Sequence, residues 1–167
     1  MNETTDAIMD AAECRIRAGG YTGFSFRDLA SDVGVKSASV HYHFPTKETL
    51  AAAVARRYKD RFLAAVDQDI ADGSDVVAAW KSGFRQALHR DGRMCLCGVL
   101  GAAAGALPDE VLTEVRAFFE AGLAQMTARR LTAEKASQVL ATLEGAMLLA
   151  NVLGRPAAFD DATAALR

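Results

Sequence analysis

Hydrophobic residues along most of the chain recur every three or four positions, which is the spacing of a buried stripe on an α-helix. The first stripe, Ile8, Ala12 and Ile16, predicts a helix over residues 4–18 that ends at Gly19. The alternating pattern typical of a β-strand never extends beyond four residues. The pattern therefore predicts an all-α protein.

Two short helices are expected to follow, joined by a tight turn. Ser25 and Asp28 fit a capping box at the start of the first, and Gly34 is placed to end it. Ser37 is the expected N-cap of the second, which Pro45 ends. Two capped helices that meet at a glycine are the local signature of a helix-turn-helix.

A long helix capped by Thr46 is expected to continue to Ala71, which at 1.5 Å per residue makes it nearly 40 Å long. Further helices are predicted over residues 75–89 with Ser74 as the cap, over 94–106, from a first turn that contains Pro108, from Thr132 to near Gly154, and over 158–167. This order predicts a three-helix helix-turn-helix domain at residues 1–47. The long helix would join it to a second helical domain at residues 48–167.

Charge and composition narrow the function. The net charge of −2 gives no overall nucleic-acid signal, but residues 36–59 carry five basic side chains and one acidic one. That end of the molecule is expected to face a polyanion. We see no apolar run long enough for a membrane span and no signal peptide, so we expect no membrane partner and a cytoplasmic location.

The three histidines give little support to a metal site or to an enzyme. On a helix, residues two apart point roughly 200° away from each other, so His41 and His43 cannot share a metal. His89, the third histidine, has no neighbouring cluster of acid, base and nucleophile in the sequence. We therefore expect neither catalysis, cofactor nor metal. A helical bundle that only binds other proteins remains the alternative.

The second helix of a helix-turn-helix lies in the major groove of DNA, so its exposed side chains should be small and polar or planar. Five residues meet this expectation: Ser37, Ser39, His41, Tyr42 and His43. Val40 and Phe44 would face the protein interior. Lys47, at the start of the long helix, is placed to hold a phosphate.

The stretch GGYTGFSFRDLASDVGVKSASVHYHFPTKETL, residues 19–50, carries a family resemblance. This stretch resembles the TetR (tetracycline-repressor) family of bacterial transcription regulators. The resemblance lies at Gly20-Tyr21, Ser25, Gly34-Val35, His43-Phe44 and Lys47. The resemblance covers residues 6–60. One departure is Val40-His41 where the family usually has Leu-Tyr, which places an imidazole in the position of a phenol.

The resemblance implies a repressor that binds a palindromic operator as a homodimer and is released by a small-molecule effector. Ser25 and Arg27 would contact phosphates, and Tyr42, His43 and Lys47 would hold the DNA backbone. The residues expected near base edges are Lys36, Ser37, Ala38, Ser39 and His41.

The second domain gives weaker expectations about its ligand and its dimer contacts. Candidate pocket residues are Phe62, Val66, Trp80, Phe84, Cys97, Phe118 and Met126, whose character suggests an apolar or aromatic effector. The family analogy, together with a stripe of mostly small residues, suggests a dimer interface at Val139, Leu143, Ala146 and Ala150.

Cysteines suggest an alternative trigger. Cys95 and Cys97 lie near Arg90 and Arg93, and a nearby guanidinium makes a thiol more reactive. A regulator that senses oxidants or electrophiles through Cys95 or Cys97 is therefore an alternative hypothesis. Because residues two apart on a helix point to different sides, one thiol should face the core and the other a cleft or solvent.

Overall fold

The computed structural model describes residues 3–166, apart from the side chain of residue 91. These residues form nine α-helices and one short 3-10 helix, and no β-strand occurs among them. The helices are α1 (Glu3–Gly19), α2 (Phe26–Val33), α3 (Ser37–His43), α4 (Lys47–Ala71), α5 (Val76–Asp91), α6 (Leu96–Gly101), α7 (Asp109–Ala128), α8 (Ala133–Leu153) and α9 (Ala157–Thr163). The expected all-α class is confirmed.

Side-chain caps start three helices where the sequence predicts them. The Ser25 hydroxyl accepts from the Asp28 backbone N–H, and the Asp28 carboxylate accepts from the Ser25 backbone N–H, which completes the capping box. Thr46 and Thr132 cap α4 and α8 by accepting from backbone N–H groups three residues ahead. These local signals place the helix starts correctly because the cap and its partner are close in sequence.

Two predicted caps are wrong. Ser37 is the first residue of α3, and the N-cap position belongs to Lys36, which makes no side-chain cap hydrogen bond. Ser74 does not cap α5, because Asp75 accepts from the backbone N–H groups of Val77 and Ala78. Where two neighbouring residues are considered for the cap, the path of the chain into the helix decides between them.

The predicted helix over residues 94–106 is also wrong in extent. Only α6, Leu96–Gly101, and a 3-10 helix, Ala104–Ala106, form there. The glycines of this segment weaken helical propensity, and Ala103, at the N-cap of the 3-10 helix, makes no side-chain cap hydrogen bond. The last helix, α9, ends at Thr163, so it is shorter than predicted.

The chain folds as two compact units whose segments alternate along the sequence. The first unit runs as far as Lys59 and also includes Leu96–Arg116, and the second comprises Asp60–Cys95 and the chain from Ala117 onward. α4 contributes residues to both units. The functional division at residues 47 and 48 stays a prediction.

In the first unit, α1 packs against both α2 and α6. Its core includes the fully buried Ile8 and Ile16 of α1, Leu29 of α2 and Val40 of α3. A buried carboxylate, Glu114 of α7, joins α4 by accepting from Arg56 and Lys59. These contacts explain why a later segment of the chain belongs to the unit that contains the helix-turn-helix.

In the second unit, aromatic rings form the centre of the core. The ring centroid of Phe62 lies 5.2 Å from those of Trp80 and Phe118 and 5.4 Å from that of Phe84. Gly122 lets α7 approach this cluster, because a Cβ there would lie 2.7 Å from the Trp80 ring. α8 packs against α5 and most extensively against α9.

α8 differs from the expectation that no apolar run of the chain is long enough for a membrane span. By length and composition alone, its 21 residues are apolar enough to cross a membrane, with a mean hydropathy of 1.3. Seven of them are buried in the protein, among them Val139, Leu143 and Met147. A helix with one side in the core of a water-soluble protein has the same composition, so this is weak evidence for a membrane span.

Candidate nucleic-acid interface

The turn between α2 and α3 depends on Gly34. Its φ of 75° is left-handed, and its backbone N–H donates to the Ala30 carbonyl. The Val35 backbone N–H donates to the same carbonyl at 2.9 Å, so α2 ends in a closed turn. Val40 of α3 and Leu29 of α2 are fully buried. α3 is therefore fixed on a packed base with its opposite side in solvent.

The exposed side of α3 carries the residues that the sequence predicts to read base edges. Lys36, Ser37, Ala38 and His41 are exposed, and Ser39 is half-buried. The His41 ring packs edge-on against Phe26, with ring centroids 4.6 Å apart. The imidazole at this position is therefore held in place by the protein before any DNA arrives.

Tyr42 and His43 differ in the exposure of their side chains. Tyr42 is 85% exposed, as a side chain that contacts the DNA backbone must be. His43 is half-buried, and its Nδ1 lies 3.2 Å from the Thr5 hydroxyl of α1. His43 therefore joins α3 to α1 in addition to its expected backbone contact.

Lys47 also has a structural partner. Its ammonium donates to the Phe24 carbonyl at 2.6 Å and lies 4.9 Å from the Tyr21 ring centroid and 4.4 Å from that of Phe24. Burial lowers the pKa of Lys47, against the opposite effect of the nearby carboxylates Glu48 and Asp28. An ammonium has three donors, so the predicted phosphate contact is compatible with this geometry and stays a prediction.

Carboxylates near the expected DNA surface are already hydrogen-bonded. Asp32 pairs with Arg15 through two bonds of 2.5 and 2.9 Å, which lowers the pKa of Asp32. Glu48 accepts from the Tyr21 hydroxyl at 3.1 Å, and burial together with this bond raises the pKa of Tyr21 to about 12. Sequence reasoning missed Arg15 because its partner is 17 residues away.

The basic run at residues 36–59 is not a single DNA-facing patch. Arg56 and Lys59 pair with Glu114, and Arg57 donates to Asp10 at 2.7 Å. Three of its five cations are therefore used in ion pairs within the protein. The exposed cations at the helix-turn-helix are Arg27, which lies outside that run, and Lys36.

Six of the predicted ligand-pocket residues lie in the second unit, and one does not. Phe62, Val66, Trp80, Phe84, Phe118 and Met126 are all buried there, while Cys97 belongs to the first unit. An open groove of about 730 Å³ in the second unit has other walls, including Asp75, Lys81 and Arg129. Contact of an effector with the six buried residues stays a prediction.

The predicted dimer residues are wrong in their orientation. Val139, Leu143, Ala146 and Ala150 are buried in the core of their own chain, so they cannot form the surface that meets a second subunit. The opposite side of α8 exposes large apolar side chains: Leu148, Leu149, Val152 and Leu153. The run MLLANVL held this signal, but periodicity alone did not tell the core side from the outer side.

The two cysteines are placed differently from the expectation. Cys95 and Cys97 are both fully buried, so neither faces a cleft or solvent. The carboxyl of Glu144 on α8 lies beside Cys95. Burial of both thiols gives no support to the sensing hypothesis, which stays a prediction.

Comparison with known proteins gives one consistent picture. A family model for bacterial regulatory proteins of the TetR family matches residues 8–54. The structure is similar to a TetR-family transcriptional regulator from Agrobacterium tumefaciens, with a TM-score of 0.87, 29% identity, and coverage of 96% of this chain and 94% of that one. A TetR regulator from Legionella pneumophila has a TM-score of 0.84 and 28% identity, covering 97% and 94%.

A third structure extends the similarity in fold alone. The regulatory protein TetR from Rhodobacter sphaeroides is 23% identical, with a TM-score of 0.85 and coverage of 99% of this chain and 97% of that one. No curated protein sequence matches the chain.

Proposed function

Because the chain belongs to the TetR family of bacterial regulatory proteins, a family of transcription regulators and not of enzymes, we propose that it is a cytoplasmic repressor. In this proposal a homodimer binds a palindromic operator, and a small-molecule effector releases it. The observation that carries the proposal is α3, whose exposed Lys36, Ser37 and His41 are mounted on the packed base formed by α2.

The DNA-binding proposal has a direct test. The full chain is mixed with genomic fragments, bound fragments are sequenced, and the site is footprinted. We expect a site with two-fold symmetry and half-sites about 34–36 Å apart. With six or more phosphate contacts, affinity should fall by roughly 10³ or more between 50 and 200 mM salt. An asymmetric footprint, or binding that ignores salt, would contradict the proposal.

The homodimer is proposed to use the outer face of α8, defined here as Leu149, Val152 and Leu153. Each of these side chains is at least half exposed, and Val152 is 73% exposed. A continuous apolar face of this kind is stabilised when a second copy covers it. The same helix would then serve the core on one side and the dimer on the other.

A charge in the outer face of α8 should prevent dimerisation. We expect Leu149→Arg to be monomeric by sedimentation velocity and to bind a single operator weakly. Gln86→Arg adds the same charge at an exposed position of α5 and should remain dimeric. A dimeric Leu149→Arg protein would place the interface elsewhere.

Release by an effector is proposed to act through α4, which contributes residues to both units. Coupling of this kind usually changes affinity about 5–150-fold, and operator DNA must weaken effector binding by the same factor. Equal effector affinity with and without operator would exclude the mechanism. Cysteine chemistry is not part of the proposal, because both Cys95 and Cys97 are buried.

A further inference from the structure

The second unit contains a carboxyl group that its own surroundings leave unsatisfied. Both oxygens of Glu144 are buried, and neither receives a hydrogen bond of normal geometry from the described part of the chain. A buried polar group without a partner destabilises the fold, and more so when it is charged. A protein retains such a group at a cost to stability, so a role outside folding is the natural explanation.

The surroundings of Glu144 form a stripe along α8. Residues 144, 148 and 151 lie on one side of the helix and span roughly 10 Å. Cys95 is beside the carboxyl, and at the other end the Asn151 amide donates to the Gly92 carbonyl at 3.2 Å. Leu148, between them, is about half exposed. The stripe thus leads from an exposed amide, past an apolar side chain, to a buried carboxyl.

The electrostatics of the Glu144 carboxyl indicate which kind of ligand group would bind it. Burial raises the pKa of Glu144 well above its ordinary value, and the neighbouring Cys95 thiol adds to the shift. A cation beside the carboxyl would oppose this shift, because a nearby positive charge favours the ionised carboxylate, which can then accept the hydrogen bonds that the cation donates. A hydroxyl offers one donor, a carboxylate offers none, and an ammonium offers three together with a charge.

We propose that Glu144 and the stripe beside it form an effector subsite that selects a hydrophobic amine. The ammonium would supply the donors that Glu144 lacks, and the apolar part of the ligand would lie along Leu148. This inference rests on the proposed function, since it names the ligand class of the regulator. It also specifies a charged headgroup, which the apolar pocket residues do not.

The test compares ligands that differ only in the headgroup. Two carbon skeletons, naphthylethyl and decyl, are each used as the primary amine, the alcohol and the carboxylate. Binding to the full chain is measured by calorimetry, and release of operator DNA is measured separately by fluorescence anisotropy. Binding and release are thereby separated, so a failure of the DNA-binding proposal is distinguishable from a failure of the subsite.

Variants then assign the preference to one side chain. Glu144→Gln keeps the size of the side chain, and Glu120→Gln makes the same change at an exposed position of α7. In wild type we expect the amine of at least one skeleton to bind 10-fold or more tighter than its alcohol. Glu144→Gln should reduce this preference to about threefold or less, while Glu120→Gln should leave it unchanged.

Three outcomes would overturn the subsite. The first is that no amine binds better than its alcohol. The second is that Glu144→Gln retains the full preference. The third is that Glu144→Gln turns a wild-type dimer into a monomer in sedimentation velocity, because a second copy would then supply the missing donor to Glu144.

Discussion

Lys47 shows how one residue combines structure with the expected recognition of DNA. Its ammonium is bound to the Phe24 carbonyl, so part of its contribution is to the fold. Ser39, on α3, is half-buried but placed toward the expected base edges. The two residues should therefore respond differently to truncation.

We expect Lys47→Ala to weaken binding to every DNA sequence by a similar factor, because a phosphate contact carries no base information. It should also lower the free energy of unfolding by about 1 kcal/mol through loss of the Phe24 contact. Ser39→Ala should instead change the preferred sequence, at about 1–3 kcal/mol per lost base contact. Anisotropy on a panel of operator variants, with urea unfolding as the control, checks both. If Lys47→Ala changed the preference at one base pair, the assignment of Lys47 to a phosphate contact would be contradicted.

Glu144 makes a second prediction at the scale of a residue. Its folded pKa is raised, so the folded state holds a proton that the unfolded state releases. The contribution is therefore fully present below the unfolded pKa, near 4.5, and is lost as pH rises toward the higher folded pKa. Relative to wild type, Glu144→Gln should gain up to about 1.4 kcal/mol per pH unit across that window. Urea unfolding between pH 4.5 and 8 tests this, and a constant difference would contradict it.

Individual helices were largely predictable, because their signals are local. The Ser25–Asp28 capping box and the stop at Gly34 lie within ten residues, and the structure has both. Ser37 and Ser74 were wrong as caps, since the choice between adjacent candidates depends on how the chain enters the helix. The Arg15–Asp32 and Arg56–Glu114 pairs could not be predicted, because they depend on packing between distant helices.

The turn of the helix-turn-helix allows a prediction at the scale of an element. A Cβ at Gly34 would meet nothing within 4 Å, so the cost of Gly34→Ala is the left-handed backbone itself. We expect the variant to lose about 1 kcal/mol of stability, since the cost of roughly 1–2 kcal/mol is partly offset in the unfolded state. Gly105→Ala, which also has open space but no left-handed φ, should be neutral or stabilising. Equal effects of the two in urea unfolding would show that the backbone of Gly34 is not strained by a side chain.

At the scale of the whole molecule, α8 marks the limit of sequence reasoning. Apolar residues surround much of this helix, and the stripe chosen from spacing, which includes Leu143, turned out to face the core of its own chain. The prediction of the dimer interface from the sequence did not include Leu149 and Val152, which are exposed in the structure. Which apolar side is internal depends on where α5 and α9 pack, and that information is distributed along the chain.

Glu114 is expected to hold the first unit together. Although burial opposes it, hydrogen bonds from Arg56 and Lys59 lower the pKa of Glu114, so its carboxylate is stabilised in the fold. That contribution is present above the unfolded pKa and is lost as pH falls through the folded pKa. We expect Glu114→Gln to destabilise the protein at pH 7 and to be closer to wild type near pH 4. Thermal unfolding at both values tests this, and an equal loss at both would contradict the ion-pair explanation.

The alternation of the two units along the chain has a consequence for engineering. The unit that contains the helix-turn-helix also needs Leu96–Arg116, where Val99 approaches Gly20 and Glu114 binds α4. A recognition module cut from the chain after residue 59 would lack these partners and should be poorly folded by circular dichroism. Exchange of operator specificity between such regulators would then require grafting two separate segments, or changing only the exposed side chains of α3.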